Sequence, residues 1–82
     1  MTLSSQIRNF IIEDLQFPGS PDTLTDDYPL LEREILDSMG IFQMVSFLEG
    51  EFGIEIDDED LLPENFETIE AIARLVDTKR GG

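Results

Sequence analysis

A carboxylate and a hydroxyl stand side by side at Asp37 and Ser38, immediately before the strongest helical pattern in the chain. Both side chains can accept hydrogen bonds from the free N–H groups of a helix's first turn, so a helix cap is one interpretation. A hydroxyl at the positive end of a helix, beside a carboxylate, also suits a phosphate ester and the divalent cation that accompanies it. A two-residue match by itself favours the cap, so the choice depends on the surrounding sequence.

The composition excludes most other chemistry. The 82 residues include no cysteine and no histidine, so the chain has no thiolate nucleophile, no histidine base and none of the usual zinc ligands. We therefore expect neither an enzyme nor a metal site. Nineteen acidic residues against five basic ones give a net charge of −14. Such a surface repels nucleic acid and anionic membranes and attracts basic proteins.

The length allows one hydrophobic core, which predicts a single domain over residues 1–82. No run of 18 apolar residues is present, and the N-terminus lacks the basic and apolar regions of a signal peptide. Our default expectation is a cytoplasmic monomer.

Apolar residues recur with the period of a helix in three segments. The first segment predicts a helix over about residues 4–16, with Ser4 or Ser5 as the N-cap. The second predicts a helix from just after Ser38 to Phe52, and the third a helix that Thr68 caps. The inward residues of the second helix are predicted to be Ile41, Met44, Val45, Leu48 and Phe52, and those of the third Ile69, Ile72, Ala73 and Val76.

The segments between these helices contain turn-forming residues. A long first loop runs from Gly19 to Pro29, and Tyr28, Leu30 and Leu31 are predicted to fix its end to the core. Residues 54–57 alternate like a strand without a partner and are predicted to be an extended connector. Residues 58–62 suit one short helix before a proline. The fold class is therefore all-α: a small four-helix bundle with three longer helices, one short helix and a long first loop.

Several segments follow a known family pattern: Leu30-Leu31, Ile35-Leu36-Asp37-Ser38-Met39, the amphipathic helix to Phe52, Gly53-Ile54-Glu55-Ile56, and the stretch from Asp60 to Ile69. Together they resemble the acyl and peptidyl carrier proteins over nearly the whole chain. The resemblance implies a four-helix bundle whose Ser38 receives 4′-phosphopantetheine from coenzyme A, transferred by a separate phosphopantetheinyl transferase. It also implies that Asp37 helps to hold the magnesium used in that transfer.

Two departures refine the resemblance. Many carriers have a glycine shortly before the aspartate and a leucine after the serine, whereas this chain has Glu34-Ile35-Leu36 and Met39. The Leu30-Leu31-Glu32 segment, the Asp37-Ser38-Met39 triplet and the Pro63-Glu64-Asn65-Phe66 stretch look more like the freestanding carriers of aminoacyl groups in specialised pathways than the housekeeping fatty-acid carriers, which remain an alternative. The implied partners are an aminoacyl or acyl ligase and downstream tailoring or condensing enzymes.

The outward side of the second helix is the second candidate site. Met39, Phe42, Gln43, Ser46 and Glu49 lie opposite the inward residues at helical spacing, and we call this set the docking strip. Twelve acidic residues and no basic one lie between Arg33 and Arg74, which predicts that the strip binds partners with basic surfaces. The alternative for Phe42 is that its ring folds under the first loop.

Two further motifs suggest other classes of protein. The acidic run from Asp57 to Asp60 could indicate calcium, but an EF-hand counted from Asp57 has Leu62 at the glycine position and Thr68 at the glutamate position. The C-terminal Gly81-Gly82 is typical of ubiquitin-like modifiers, whose β-grasp fold needs paired strands that the sequence does not predict. A last alternative is an acidic helical interaction module without a prosthetic group, in which Asp37-Ser38 is only a cap.

Overall fold

The computed structural model describes residues 2–81, and every regular element in that range is helical. The helices are α1 (Leu3–Glu13), α2 (Ser38–Phe52), α3 (Pro63–Phe66) and α4 (Ile69–Lys79). Short 3₁₀ turns occur at Pro21–Thr23 and Asp58–Asp60. The predicted all-helical bundle is confirmed, and none of these helices combines the length and apolarity that crossing a membrane requires.

Helix α1 begins and ends earlier than the sequence predicts. Its N-cap is Thr2, whose hydroxyl accepts a hydrogen bond from the Ser5 N–H at 3.1 Å, so the prediction of Ser4 or Ser5 is wrong. The helix ends at Glu13 because Gln16 takes a left-handed conformation (φ 53°) and the chain turns before Pro18.

The first loop is held against the helices by hydrogen bonds and by apolar anchors. Arg8 Nη2 on α1 donates to the Pro21 carbonyl at 3.0 Å, and the Leu30 N–H donates to the Glu67 carbonyl at 2.8 Å. Leu30 is fully buried, with Tyr28 and Leu31 half-buried beside the core, as predicted. Leu24 is a further buried anchor in this loop.

The sequence places the short helix too early. Residues 54–57 form the predicted extended connector, and residues 58–60 form only a 3₁₀ turn. The short helix is α3, which begins at Pro63, where the prediction has a helix end. Proline is favoured at the first helical position because its ring presets φ and its missing N–H is not needed there.

The core contains one set of buried apolar side chains drawn from all four helices and from the connecting segments. Its members are Ile7, Ile11, Leu24, Leu30, Leu36, Met44, Leu48, Ile54, Phe66, Ile69, Ile72, Leu75 and Val76. Helix α4, capped by Thr68 as predicted, packs against both α1 and α3. This packing leaves one side of α2 at the surface.

Candidate functional site

Asp37, and not Ser38, caps helix α2. The Asp37 Oδ1 atom accepts a hydrogen bond from the Gly40 N–H at 2.7 Å, and the Asp37 backbone is extended, as N-caps are. Ser38 is therefore the first helical residue; it is exposed, and its hydroxyl makes no hydrogen bond to any of residues 2–81. The cap and the free hydroxyl belong to two different residues.

Gly40 is a residue of this site that the sequence patterns did not single out. It is buried, and a Cβ atom there would lie 3.3 Å from Asp37 Oδ1 and 3.4 Å from Leu36 Cδ2. A side chain would crowd the carboxylate that caps the helix. A glycine three residues after the capping aspartate is the signal that could have identified it.

A tight turn before α2 sets the position of Ser38. Glu34 takes a left-handed conformation (φ 60°) while the Ile35 N–H donates to the Leu30 carbonyl at 2.8 Å. This is the hydrogen-bond pattern that closes helical turns, and the left-handed position in it usually holds glycine. Leu30 and Leu36 are buried on either side of the turn, so the turn is anchored at both ends.

Four of the five docking-strip residues are exposed. Met39 is 69% exposed and Phe42 is 67% exposed, so the Phe42 ring does not fold under the first loop. Gln43 and Ser46 continue the exposed surface along α2. Glu49 differs, because it is half-buried and its Oε2 atom accepts a hydrogen bond from the Ile56 N–H at 2.9 Å. The Glu49 carboxylate therefore holds the extended connector, residues 54–57, against α2.

A groove of about 490 Å³ opens between α1 and α2 beside the docking strip. It is lined by Phe10, Asp14, Phe42, Gln43, Ser46 and Phe47. The rings of Phe10 and Phe47 stack with their centroids 4.3 Å apart. Phe10 belongs to the apolar pattern of the first helical segment, whereas Phe47 lies on neither of the two faces predicted for α2. No sequence signal pairs these two distant residues.

The acidic run from Asp57 to Asp60 has a structural partner in Lys79. The Lys79 ammonium donates to Asp57 Oδ2 at 3.3 Å and to Asp60 Oδ2. The hydrogen bond from Lys79 lowers the pKa of the Asp60 carboxyl, and the same bond raises the pKa of Lys79. Among the described residues no group of three or more acidic side chains could hold a metal ion. Gly82 of the C-terminal pair lies outside them.

The surroundings of Ser38 fit a phosphodiester. Its exposed hydroxyl stands at the N-terminus of a 15-residue helix, where partial positive charge favours a phosphate group. The second carboxylate oxygen of Asp37 makes no hydrogen bond within residues 2–81, so it is free to bind a cation. These observations leave the Ser38 hydroxyl and one Asp37 oxygen accessible beside each other at the start of α2.

Comparison with known proteins identifies the family of this chain. The family described as "phosphopantetheine attachment site" matches residues 5–76. The probable acyl carrier protein PigG of Serratia sp. (strain ATCC 39006) is 35% identical over 74 residues, which cover 90% of this chain and 84% of the relative.

Two solved structures agree in fold and sequence. A holo acyl carrier protein from Nitrosomonas europaea is 29% identical, with full coverage of both chains and a TM-score of 0.82. The apo form of KstB-PCP is 32% identical over 93% of this chain and 84% of that chain, with a TM-score of 0.75. The predicted resemblance is confirmed: the chain belongs to the phosphopantetheine-dependent family of acyl and peptidyl carrier proteins, which are carriers and not enzymes.

Proposed function

We propose that Ser38 is the residue that carries 4′-phosphopantetheine. The single observation that carries this assignment is the hydrogen bond from the Gly40 N–H to Asp37, because it caps α2 without the neighbouring hydroxyl. In the transfer, the Ser38 oxygen forms a bond to phosphorus and loses its proton to the transferase. The pyrophosphate bond of coenzyme A breaks, and adenosine 3′,5′-bisphosphate leaves. Asp37 would hold the magnesium ion through its free carboxylate oxygen, and the ion would stabilise the charge on the transferred phosphate.

The attached arm supplies a thiol to a chain that has no cysteine. We infer that a separate ligase loads this thiol with an aminoacyl or acyl group as a thioester. Downstream tailoring or condensing enzymes then act on the tethered group. Each enzyme recognises the carrier protein, which transports the group from one enzyme to the next. We infer a role in specialised biosynthesis from the segments that resemble freestanding carriers, and a housekeeping fatty-acid role is the alternative.

The docking strip is the surface through which we expect these enzymes to recognise the carrier. Met39 and Phe42 present exposed apolar side chains within one turn of Ser38. Such side chains become binding hot spots when a partner buries them. The acidic surface attracts basic partners towards the docking strip. Glu49 contributes to the strip by holding the connector against α2 through its hydrogen bond with the Ile56 N–H.

Intact mass spectrometry tests the attachment site. The purified chain is incubated with coenzyme A, magnesium and a broad-specificity phosphopantetheinyl transferase. The wild type should gain the mass of one phosphopantetheine, and Ser38→Ala should gain none. Ser46→Ala, which removes another exposed α2 hydroxyl, is the matched control and should be modified. An unmodified wild type, or full modification of Ser38→Ala, would overturn the assignment.

A further inference from the structure

The backbone of Leu30 joins the turn before α2 to the end of α3. Its N–H donates to the carbonyl of Glu67, the C-cap of α3, at 2.8 Å. Its carbonyl accepts two hydrogen bonds, from the Ile35 N–H at 2.8 Å and from the Leu36 N–H at 3.2 Å. A carbonyl has two lone pairs, so Leu30 uses its full backbone capacity for hydrogen bonds. Residues 30–36 are thereby closed into one turn that is bonded to the end of α3.

A second hydrogen bond holds the same part of the first loop against α4. The Glu70 N–H, in the first turn of α4, donates to the Asp26 carbonyl at 3.0 Å. First-turn N–H groups have no partner within their own helix, so this loop carbonyl satisfies one of them. Residues 26–30 therefore lie across the junction between α3 and α4, and the loop and the junction support each other.

Buried side chains extend this connection to the helix cap beside Ser38. Leu30 is fully buried and Leu36 is 2% exposed, and both belong to the hydrophobic core. The Leu36 side chain packs close to Gly40, where an added Cβ atom would lie 3.4 Å from Leu36 Cδ2. The Gly40 N–H is the group that Asp37 caps. A displacement of the turn therefore reaches the cap.

The start of α2 has no other hydrogen bond to the rest of the bundle. Within residues 2–81, the remaining hydrogen bonds of residues 31–40 stay inside the segment from Pro29 to α2. The Asp37 cap is itself local, because it connects only to Gly40. The direction in which Ser38 faces solvent therefore depends on the turn that Leu30 holds.

We propose that Leu30 is a positioning residue for the transfer of phosphopantetheine. It holds the turn on the junction between α3 and α4, and so fixes the direction in which Asp37 and Ser38 face the transferase. The inference rests on the proposed attachment at Ser38. Position matters in this step because the serine oxygen must approach phosphorus in a narrow range of geometries. A displacement of about 1 Å can lower the rate of such a step about a hundredfold.

Leu24 provides a matched control for Leu30. Both are buried leucines of the first loop, but Leu24 makes no backbone hydrogen bond to the turn. The initial rate of mass gain, measured over a range of carrier concentrations at low temperature, gives kcat and KM for the transferase. Leu30→Ala should lower kcat about tenfold with KM within about two-fold, because docking is intact and the reacting geometry is not. Leu24→Ala should leave both constants close to those of the wild type, and Leu30→Met should recover kcat.

Two further readouts separate a loss of position from a loss of stability. Circular dichroism establishes that each variant is folded at the assay temperature. If either alanine variant has lost its helices, Leu30→Val is compared with Leu24→Val instead. The Gly40 N–H resonance reports on the Asp37 cap. It should shift in the Leu30 variant and keep its position in the Leu24 variant.

Hydrogen exchange of the wild-type protein tests the connection without any substitution. The Leu30 amide should exchange within about tenfold of the slow amides of α4, because it opens only when the turn leaves the junction. The Tyr28 amide, whose hydrogen bond to the Thr25 carbonyl is local, should exchange faster.

The outcomes distinguish the two proposals. A wild-type protein that is not modified would count against the attachment at Ser38. A modified wild type, with equal kcat values for Leu30→Ala and Leu24→Ala, would overturn the role of Leu30 alone. A Leu30 amide that exchanges as fast as the Tyr28 amide would overturn it as well.

Discussion

Replacing Asp37 and Ser38 one at a time separates the helix cap from the attachment site. In the structure only Asp37 accepts a hydrogen bond from the first turn of α2, from the Gly40 N–H at 2.7 Å. Removing an N-cap of this type costs about 1 kcal/mol, within a range of about 0.5–2 kcal/mol. For a domain of this size, 1 kcal/mol lowers the melting temperature by about 4–8 °C. We therefore expect Asp37→Ala to melt several degrees below the wild type.

Ser38→Ala should behave differently. The Ser38 hydroxyl is exposed and bonded to none of residues 2–81, and alanine is a better helix former than serine. The free energy of unfolding should stay within about 0.5 kcal/mol of the wild type, while phosphopantetheinylation is abolished. If Ser38 were the cap, this variant would be the destabilised one.

Asp37→Asn completes the comparison, because asparagine caps helices as well as aspartate does but binds magnesium less well. It should melt closer to the wild type than Asp37→Ala does and still be modified more slowly than the wild type. Thermal unfolding followed by circular dichroism measures the first property, and the time course of the mass gain measures the second. A Ser38→Ala protein that melts as early as Asp37→Ala would refute the division of roles.

Four other perturbations have defined outcomes. Glu34→Gly should stabilise the apo protein by about 1 kcal/mol in urea unfolding, since glycine relieves the left-handed conformation, whereas Glu34→Gln should not. Phe42→Ala should slow loading by the ligase about tenfold at an unchanged circular dichroism spectrum, because a hot spot contributes more than about 1 kcal/mol. Glu49→Ala should cost about 1 kcal/mol in the same unfolding assay, because a half-buried backbone N–H loses its acceptor. At pH values between 3.8 and 10.5, Lys79→Gln should melt at a lower temperature than the wild type does, and this difference should shrink outside that pH window. The lowered pKa of Asp60 makes its contribution disappear as the pH falls through the folded value, and the raised pKa of Lys79 makes its own contribution disappear as the pH rises. An equal difference at pH 2 and pH 7 would contradict the ion pair.

The parts of the fold that the sequence predicted well are those with local causes. Helix α2 has a helical apolar pattern, an aspartate before it and Gly53 after it, and the structure shows a cap at each end. Helix α4 has a helical apolar pattern and the N-cap Thr68, whose hydroxyl accepts a hydrogen bond from the Ala71 N–H. Each cap acts within its own turn, so neighbouring residues are enough to identify it.

The parts that the sequence missed depend on residues far apart in the chain or on competition between local signals. The stacking of Phe10 on Phe47 requires that α1 and α2 lie side by side, which periodicity does not encode. At Pro63 two local rules compete, because a proline ends a preceding helix and also favours starting a new one. The chain follows the second rule, with Phe66 buried as the anchor of the short helix.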